Sequence, residues 1–135
     1  MAKEIVYTEE EKENQLSMLL DTLHSLLKEK LEHPKWNEKI KKINFRINLE
    51  IPEVGAVHLI LEKNGKYEIG RGKISDPIIE IKAPLENFFN FSSRQISSFS
   101  AIVLGKLKIK GKRHLLTLLN VGNVLRVIPE KELNK

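Results

Sequence analysis

The chain has 135 residues, which is within the size of one ordinary domain, so the sequence predicts a single domain over residues 1–135. It contains no cysteine, and this excludes disulfides, thiolate catalysis and cysteine-ligated zinc or iron–sulfur centres. The formal net charge is +5, and the predominance of 18 Lys and 16 Glu is typical of a solvated, thermophile-like surface.

The first predicted element is a helix that begins after Thr8. Residues 8–11 have the pattern of a capping box, in which the side chains of Thr8 and Glu11 bind each other's backbone amides. Leucines then recur at three- and four-residue spacing from Leu16 to Leu31, and Pro34 predicts the end of the helix. We interpret this apolar stripe as packing against a sheet; the alternative is a partner helix or a membrane anchor.

The middle of the chain predicts a sheet. Apolar and polar residues alternate from Ile43 to Ile51, as in a strand with one buried face. Asn64 and Gly65 predict a two-residue hairpin turn, since both residue types adopt positive φ readily. The further predicted strands of this largely antiparallel sheet are Ala56–Glu62, Tyr67–Gly70 and Ile78–Lys82.

The last third returns to helical patterns, with one further strand. A short helix is predicted after Pro84, and a second pattern runs from Ser93 to Leu104 and ends at Gly105. Strict alternation over Lys106–Lys110 predicts a strand. The final amphipathic helix carries its apolar face at Leu115, Leu118, Leu119, Gly122 and Leu125.

The sequence contains no recognisable catalytic pattern. The four histidines fall in four different elements, and neither a phosphate-binding glycine loop nor a nucleophile elbow is present, so we expect no enzyme activity, no metal site and no cofactor. The basic run from Lys106 to Arg113 alternates with aliphatic residues and lacks aromatics, so nucleic acid is not an expected partner. Without a signal-peptide pattern at its start, the chain is expected to be cytoplasmic.

One stretch resembles a known family. Gly105-Lys-Leu-Lys-Ile-Lys-Gly111, preceded by the Ser97–Leu104 segment and followed by an apolar helix, is similar to the signature of the sterol carrier protein (type two), or non-specific lipid-transfer, domain family. The order of the elements agrees from Leu16 to Val127. The resemblance implies an α+β fold: a five-stranded, mostly antiparallel sheet with an N-terminal helix and C-terminal helices on one face, enclosing an apolar tunnel.

By the same resemblance, the chain would bind and transfer hydrophobic lipids without catalysis: fatty acids, fatty acyl-CoA, isoprenoid or sterol-like lipids. The expected partners are such a lipid or acyl-CoA and, transiently, an anionic membrane surface, while the oligomeric state is left open. For contact with the head group the family positions imply Arg94, Gln95 and Arg113. The implied tunnel walls are Phe88, Phe91, Ile96, Phe99, Val103, Leu107, Ile109, Leu115, Leu118 and Leu119.

The residue pattern alone leaves an alternative open. Apolar residues on several helices can form a solid core instead of a cavity. In that case the chain would be a protein–protein interaction or adaptor module of the same fold with no bound lipid. Lys112 also departs from the acidic or small polar residue that the family commonly has after the glycine.

Overall fold

The computed structural model of the chain describes residues 6–133. Their helices are α1 (Glu9–Glu32), α2 (Pro34–Lys41), α3 (Leu85–Ser92), α4 (Ser98–Val103) and α5 (Leu115–Leu125). Their strands are β1 (Phe45–Ile51), β2 (Gly55–Leu61), β3 (Tyr67–Arg71), β4 (Ile79–Lys82) and β5 (Lys108–Lys110).

The strands form one open sheet in the order β3-β2-β1-β4-β5. Every neighbouring pair is antiparallel except β1 and β4, which run parallel. Alternation along β1 places Phe45, Ile47, Leu49 and Ile51 on the buried face, where the helices cover the sheet. The predicted α+β fold with a mostly antiparallel five-stranded sheet is therefore confirmed.

Helix α1 begins with the predicted capping box. The Thr8 hydroxyl accepts a hydrogen bond from the Glu11 amide at 3.1 Å, and the Glu11 carboxylate accepts one from the Thr8 amide at 3.1 Å. The hydrogen bond from the Thr8 amide to the carboxylate, and secondarily the Thr8 hydroxyl, lower the pKa of Glu11 below its ordinary value. Further along, Leu19, Leu23 and Leu27 are buried in the core, so the leucine stripe packs inside the molecule.

A second helix that the sequence patterns did not predict follows directly. Pro34 does end α1, but it is also the first residue of α2, a position where its missing N–H costs no hydrogen bond. The His33 ring nitrogen Nδ1 accepts hydrogen bonds from the amides of Lys35 and Trp36 at 3.2 and 3.4 Å and so caps α2. With only Trp36 and Ile40 buried, α2 is too short to show a clear apolar period.

The hairpin between β2 and β3 differs slightly from the prediction. Asn64 and Gly65 both have positive φ, 74° and 80°, as a type I′ turn requires. However, the Glu62 amide donates to the Lys66 carbonyl at 2.8 Å, so the loop contains three residues and not two.

Helix α4 is shorter than the predicted Ser93–Leu104 pattern. Arg94 has a left-handed backbone with φ of 67°, which interrupts the helix. The Ser97 hydroxyl then accepts a hydrogen bond from the Ser100 amide at 3.1 Å and so caps the N-terminus of α4. At its other end, Gly105 has φ of 69° and closes the helix as predicted.

Candidate functional site

An apolar cavity of about 390 Å³ lies between helices α4 and α5 and the β4–β5 edge of the sheet. Ser98 and Asn123 are the polar residues of its wall; the other lining residues are apolar or glycine. The lining comprises Ile81, Phe91, Ser98, Phe99, Ile102, Leu107, Ile109, Leu115, Leu118, Leu119, Val121, Gly122 and Asn123.

Strand alternation explains why the sheet side of this cavity is apolar. Ile109 pairs with Ile81 across β5 and β4, and both side chains line the cavity. Lys108 and Lys110 point to the other face, because successive side chains on a strand alternate. The lysines of the Lys106–Lys110 run therefore do not line the cavity, and its wall is uncharged.

Three lining residues also form the mouth. Phe99, Leu115 and Leu119 are 76%, 68% and 66% exposed although they line the cavity. Such exposure of large apolar side chains is uncommon at a closed core and common at a binding site. The cavity therefore opens to the surface between α4 and α5.

Most of the predicted wall residues meet at this cavity, and three do not. Phe88 is fully buried and lies outside the lining, because its side of α3 faces the core. Ile96 packs against the core from the 93–97 loop, and Val103 is 62% exposed on the outer side of α4. The predicted residues that do line the cavity are Phe91, Phe99, Leu107, Ile109, Leu115, Leu118 and Leu119.

The predicted head-group residues lie away from the lining. The Arg94 guanidinium donates to the Val127 carbonyl at 2.6 Å, and burial lowers its pKa. Gln95 is exposed in the loop before α4. Arg113 is exposed in the turn before α5, where its Nε lies 3.3 Å from the His114 ring nitrogen Nε2.

Another arginine, which sequence reasoning missed, supports the cavity wall. The Arg126 guanidinium donates to the Phe91 carbonyl at 3.0 Å, the Ser98 hydroxyl at 3.0 Å and the Ile96 carbonyl at 2.9 Å. It also lies 5.1 Å from the centre of the Phe91 ring, a cation–π distance. Burial, and secondarily the nearby Arg94, lowers its pKa. A single arginine after an apolar helix gives no sequence signal of this role.

The sequence also failed to identify other lining residues, although some of them lie at positions that it marks as apolar. Gly122 lies on the predicted apolar face of the last helix but has no side chain to suggest a contact. Ile81 and Ile102 fall on apolar positions of predicted elements, yet only the pairing of β4 with β5 brings Ile81 to the cavity. That pairing joins segments 28 positions apart.

The opposite face of the sheet carries a charged groove. Glu50 accepts salt bridges from Lys73 at 2.7 Å and from Lys82 at 3.4 Å. The hydrogen bond from Lys73 is the main reason why the pKa of Glu50 lies below its ordinary value. Asn48 holds the neighbouring loop through two hydrogen bonds with the Ile74 backbone, at 2.8 and 3.0 Å. This groove is thus lined by charged side chains of both signs, in contrast to the apolar cavity.

The sequence model of the SCP-2 sterol transfer family matches residues 23–121. This chain belongs to the SCP-2 sterol transfer family. The resemblance seen at Gly105–Gly111 is therefore confirmed, and family membership supports lipid binding or transfer in general. No sequence among the curated proteins matches the chain significantly.

Solved structures show the same fold at low sequence identity. A UbiJ-SCP2 ubiquinone synthesis protein is 12% identical, with a TM-score of 0.64 over 81% of this chain and 94% of that chain. Sterol carrier protein 2 from Yarrowia lipolytica, in its apo form, is 19% identical, with a TM-score of 0.55 over 88% of this chain and 92% of that one. The alkylsulfatase Pisa1 from Pseudomonas sp. is 17% identical, with a TM-score of 0.51 over 64% of this chain but 13% of the enzyme. Within residues 6–133, none of the helices combines the length and hydrophobicity of a bilayer-spanning segment.

Proposed function

We propose that this protein is a non-catalytic carrier that binds one hydrophobic lipid in the apolar cavity and transfers it from a donor to an acceptor. The observation that carries the proposal is the cavity itself, with its mouth at Phe99, Leu115 and Leu119. Its volume of about 390 Å³ falls in the range of roughly 300–1,000 Å³ that is usual for small-molecule sites. The size suits the chain of a fatty acid, fatty acyl-CoA or isoprenoid lipid.

The chemistry of the wall favours binding without reaction. The lining offers one hydroxyl, at Ser98, and one amide, at Asn123, but no acid or base that could transfer a proton. Each methylene group that leaves water for such a wall stabilises the complex by about 0.8 kcal/mol. An isoprenoid belongs in the probe panel because the UbiJ-SCP2 relative is a ubiquinone synthesis protein.

Gly122 allows a direct test. A Cβ added there would meet its nearest neighbours, Phe91 and Ser98, at ordinary distances of 3.9 and 4.0 Å, so a methyl group fits at this position without a clash. Gly122→Leu would place a branched aliphatic side chain in the cavity and narrow the space for a lipid chain, whereas Gly122→Ala adds one methyl group and leaves most of the volume. We expect the leucine variant to lose lipid and the alanine variant to keep it, with the helix stabilised in both.

Native mass spectrometry of the three proteins, with organic extraction of the bound lipid, measures this directly. Fatty acids and an isoprenoid alcohol are then added to delipidated protein, and the melting temperature should rise in the wild type and in Gly122→Ala alone, because only a ligand that prefers the folded state stabilises it. If no lipid copurifies and no probe raises the melting temperature, the carrier proposal is wrong. The adaptor alternative then becomes the better explanation.

A further inference from the structure

The charged groove on the sheet face opposite the apolar cavity contains an excess of lysines. It has a volume of about 360 Å³, and four lysines line it against two glutamates, Glu50 and Glu80, so its side chains sum to +2. The lysines are Lys73, Lys82, Lys108 and Lys110. None of these six charged residues lines the apolar cavity, so the groove is a separate concave surface at the same β4–β5 edge.

The register of the sheet places two of these lysines face to face. Lys82 and Lys108 are directly opposite each other in the antiparallel pairing of β4 with β5. Side chains at such positions start about 4.5–5.5 Å apart, and like charges there destabilise a sheet. Lys110 lies on the same face as Lys108, about 6.6–6.8 Å further along β5. Three ammonium groups are therefore concentrated in one small area of the sheet.

The carboxylates of the groove neutralise only part of this charge. Glu50 accepts salt bridges from Lys73 at 2.7 Å and from Lys82 at 3.4 Å, so it already serves two lysines. Within the described part of the chain, neither Lys108 nor Lys110 forms a salt bridge. The lysines of β5 thus remain without a counterion.

The second carboxylate does not supply that counterion. Glu80 lies opposite Lys110 in the register, yet its carboxylate accepts a hydrogen bond from the Asn48 amide at 3.5 Å instead. It also borders an adjoining groove of about 430 Å³, which contains further cations from the turn before α5. The positive charge therefore continues beyond the first groove.

Stability alone does not favour this arrangement. A lysine on an edge strand prevents edge-to-edge aggregation, but that role does not require a second lysine directly opposite it on β4. A glutamate at position 108 would pair with Lys82, whereas Lys108 repels it. An oxyanion between the two ammonium groups would remove the repulsion and supply the missing counterion.

We infer that this groove is a binding site for a small molecule that carries two linked phosphate groups. One phosphate lies between Lys82 and Lys108, and the second is bound by Lys110, because the spacing along β5 exceeds what a single phosphate spans. The volume is within the range of roughly 300–1,000 Å³ that is usual for small-molecule sites. This site does not depend on the proposed lipid binding, because its lysines lie outside the cavity lining.

A nucleic acid strand fits the groove less well. Single strands are usually bound by aromatic side chains that stack on the bases, and the groove has no aromatic residue in its lining. Glu50 and Glu80 also lie within it and would repel a long strand with a phosphate at every nucleotide. A compact diphosphate can contact the lysines at the β5 side and avoid both carboxylates.

The test is isothermal titration calorimetry with inorganic pyrophosphate and inorganic phosphate as probes. We expect pyrophosphate to bind with a stoichiometry of one and at least about tenfold more tightly than phosphate, because each hydrogen bond to a charged group contributes on the order of a tenfold change. Added salt should weaken the binding. Lys110→Gln should reduce the affinity for pyrophosphate about tenfold but leave that for phosphate nearly unchanged.

Lys108→Gln separates ligand binding from a structural role. It should reduce the affinity for pyrophosphate at least about tenfold and yet raise the melting temperature of the free protein, because it removes the repulsion from Lys82. Glu80→Gln should bind pyrophosphate more tightly, since it removes a like charge from the groove. Lys106→Gln is the matched control: this exposed lysine of the same basic run lines neither groove, and the variant should bind like the wild type.

Equal affinities for phosphate and pyrophosphate, or an equal loss of affinity in Lys106→Gln and Lys108→Gln, would overturn the proposal. The phosphate could also belong to a lipid head group or to nucleic acid, so phosphatidylglycerol vesicles and a single-stranded oligonucleotide are tested in parallel. If either binds to the wild type but not to Lys108→Gln while pyrophosphate does not bind, the proposal is likewise wrong. Lipid bound in the cavity should be the same in all these variants by native mass spectrometry, so failure of the carrier proposal is recorded separately.

Discussion

The two parts of the molecule that meet within α3 differ in how their charges and their exposed apolar side chains are distributed. In residues 6–86, which we call the scaffold region, lie all seven salt bridges of the described chain. Residues 87–129, the cavity region, have no carboxylate and hold seven of the ten exposed large apolar side chains, against two in the scaffold region. The scaffold region thus resembles an ordinary protein surface over a closed core, whereas the cavity region does not.

The difference shows where the sequence departs from what stability alone would favour. An exposed leucine contributes little to folding, so its presence at α4 and α5 is better explained by a ligand or a surface that covers it. The scaffold region supplies Ile81 to the cavity wall, through the pairing of β4 with β5 of the cavity region. The cavity region supplies the side chains that a lipid would contact.

The largest expected contrast comes from the same substitution in the two regions. Leu27 in α1 is fully buried, and Leu27→Ala should lower the free energy of unfolding by about 3 kcal/mol, because it removes buried methyl groups and leaves a cavity. Leu119→Ala, at the 66% exposed mouth, should lower it by less than about 0.5 kcal/mol. Urea unfolding of both variants measures the two values.

Lipid binding should respond in the reverse order. Leu119→Ala is expected to weaken retention of bound lipid in native mass spectrometry, while Leu27→Ala, once folded, should retain it. Equal losses of stability in the two variants would mean that the mouth is part of the core and that the contrast between the regions is wrong.

Much of the scaffold could be predicted from the sequence because its signals are local. Three such signals are the capping box at Thr8, the period of two in β1 and the positive-φ pair at Asn64 and Gly65. Each of them consists of residues that are close together in the sequence. What escaped prediction depends on distant contacts. The loop before α4, for example, is held by Arg126, which binds the Ile96 carbonyl from 30 residues away.

The candidate site was predicted in part, and that prediction came from the resemblance to the family. The resemblance implied Phe91, Phe99 and Leu118 as wall residues, and the structure places all three at the cavity. Phe88 was implied in the same way but faces the core, because an apolar position alone does not distinguish a cavity wall from a core. The placement of Arg94 against the Val127 carbonyl likewise follows from a tertiary contact that no local pattern contains.

The scaffold region contains a buried charge at Lys30, and removing that charge should stabilise the protein. Lys30 is fully buried, and its ammonium donates to the Leu26 carbonyl at 3.2 Å. Burial lowers the pKa of Lys30 to about 8, partly opposed by Glu29 and assisted by the positive charge of Arg94. At pH 7 the folded state therefore bears the cost of a buried charge, and Lys30→Met should raise the free energy of unfolding by about 1–3 kcal/mol.

The pH dependence of stability shows whether the buried charge of Lys30 causes this difference. Since the pKa is lower in the folded state, the unfolded state holds more protons above pH 8, and wild-type stability gains from Lys30 as the pH rises from about 8 towards 10.5. The advantage of Lys30→Met should therefore be largest at pH 7 and shrink across that window. Thermal unfolding at a series of pH values tests this, and a constant advantage would attribute the gain to packing instead of charge.

Arg126 connects separate segments of the cavity region at the cavity wall. Arg126→Lys keeps the charge but loses the planar fork that binds Phe91, Ser98 and Ile96, so we expect a loss of about 1–2 kcal/mol in stability and faster release of bound lipid. Arg113→Lys is the matched control, because the exposed Arg113 makes no such set of bonds. If Arg126→Lys releases lipid at the wild-type rate, the 91–98 segment does not depend on this arginine for its shape.

The smallest expected effect compares the two helix caps. Thr8→Ala should cost about 1 kcal/mol of global stability, because α1 is tied to β3 through the Glu13–Arg71 salt bridge and cannot fray freely. Ser97→Ala removes the equivalent cap of α4, whose outer residues are already exposed, so opening α4 costs little. We expect it to change global stability by less than about 0.5 kcal/mol but to accelerate hydrogen exchange at the amides of residues 101–104. Equal global losses would show that α4 unfolds only together with the sheet, and the mouth of the cavity would then be as rigid as the scaffold that supports it.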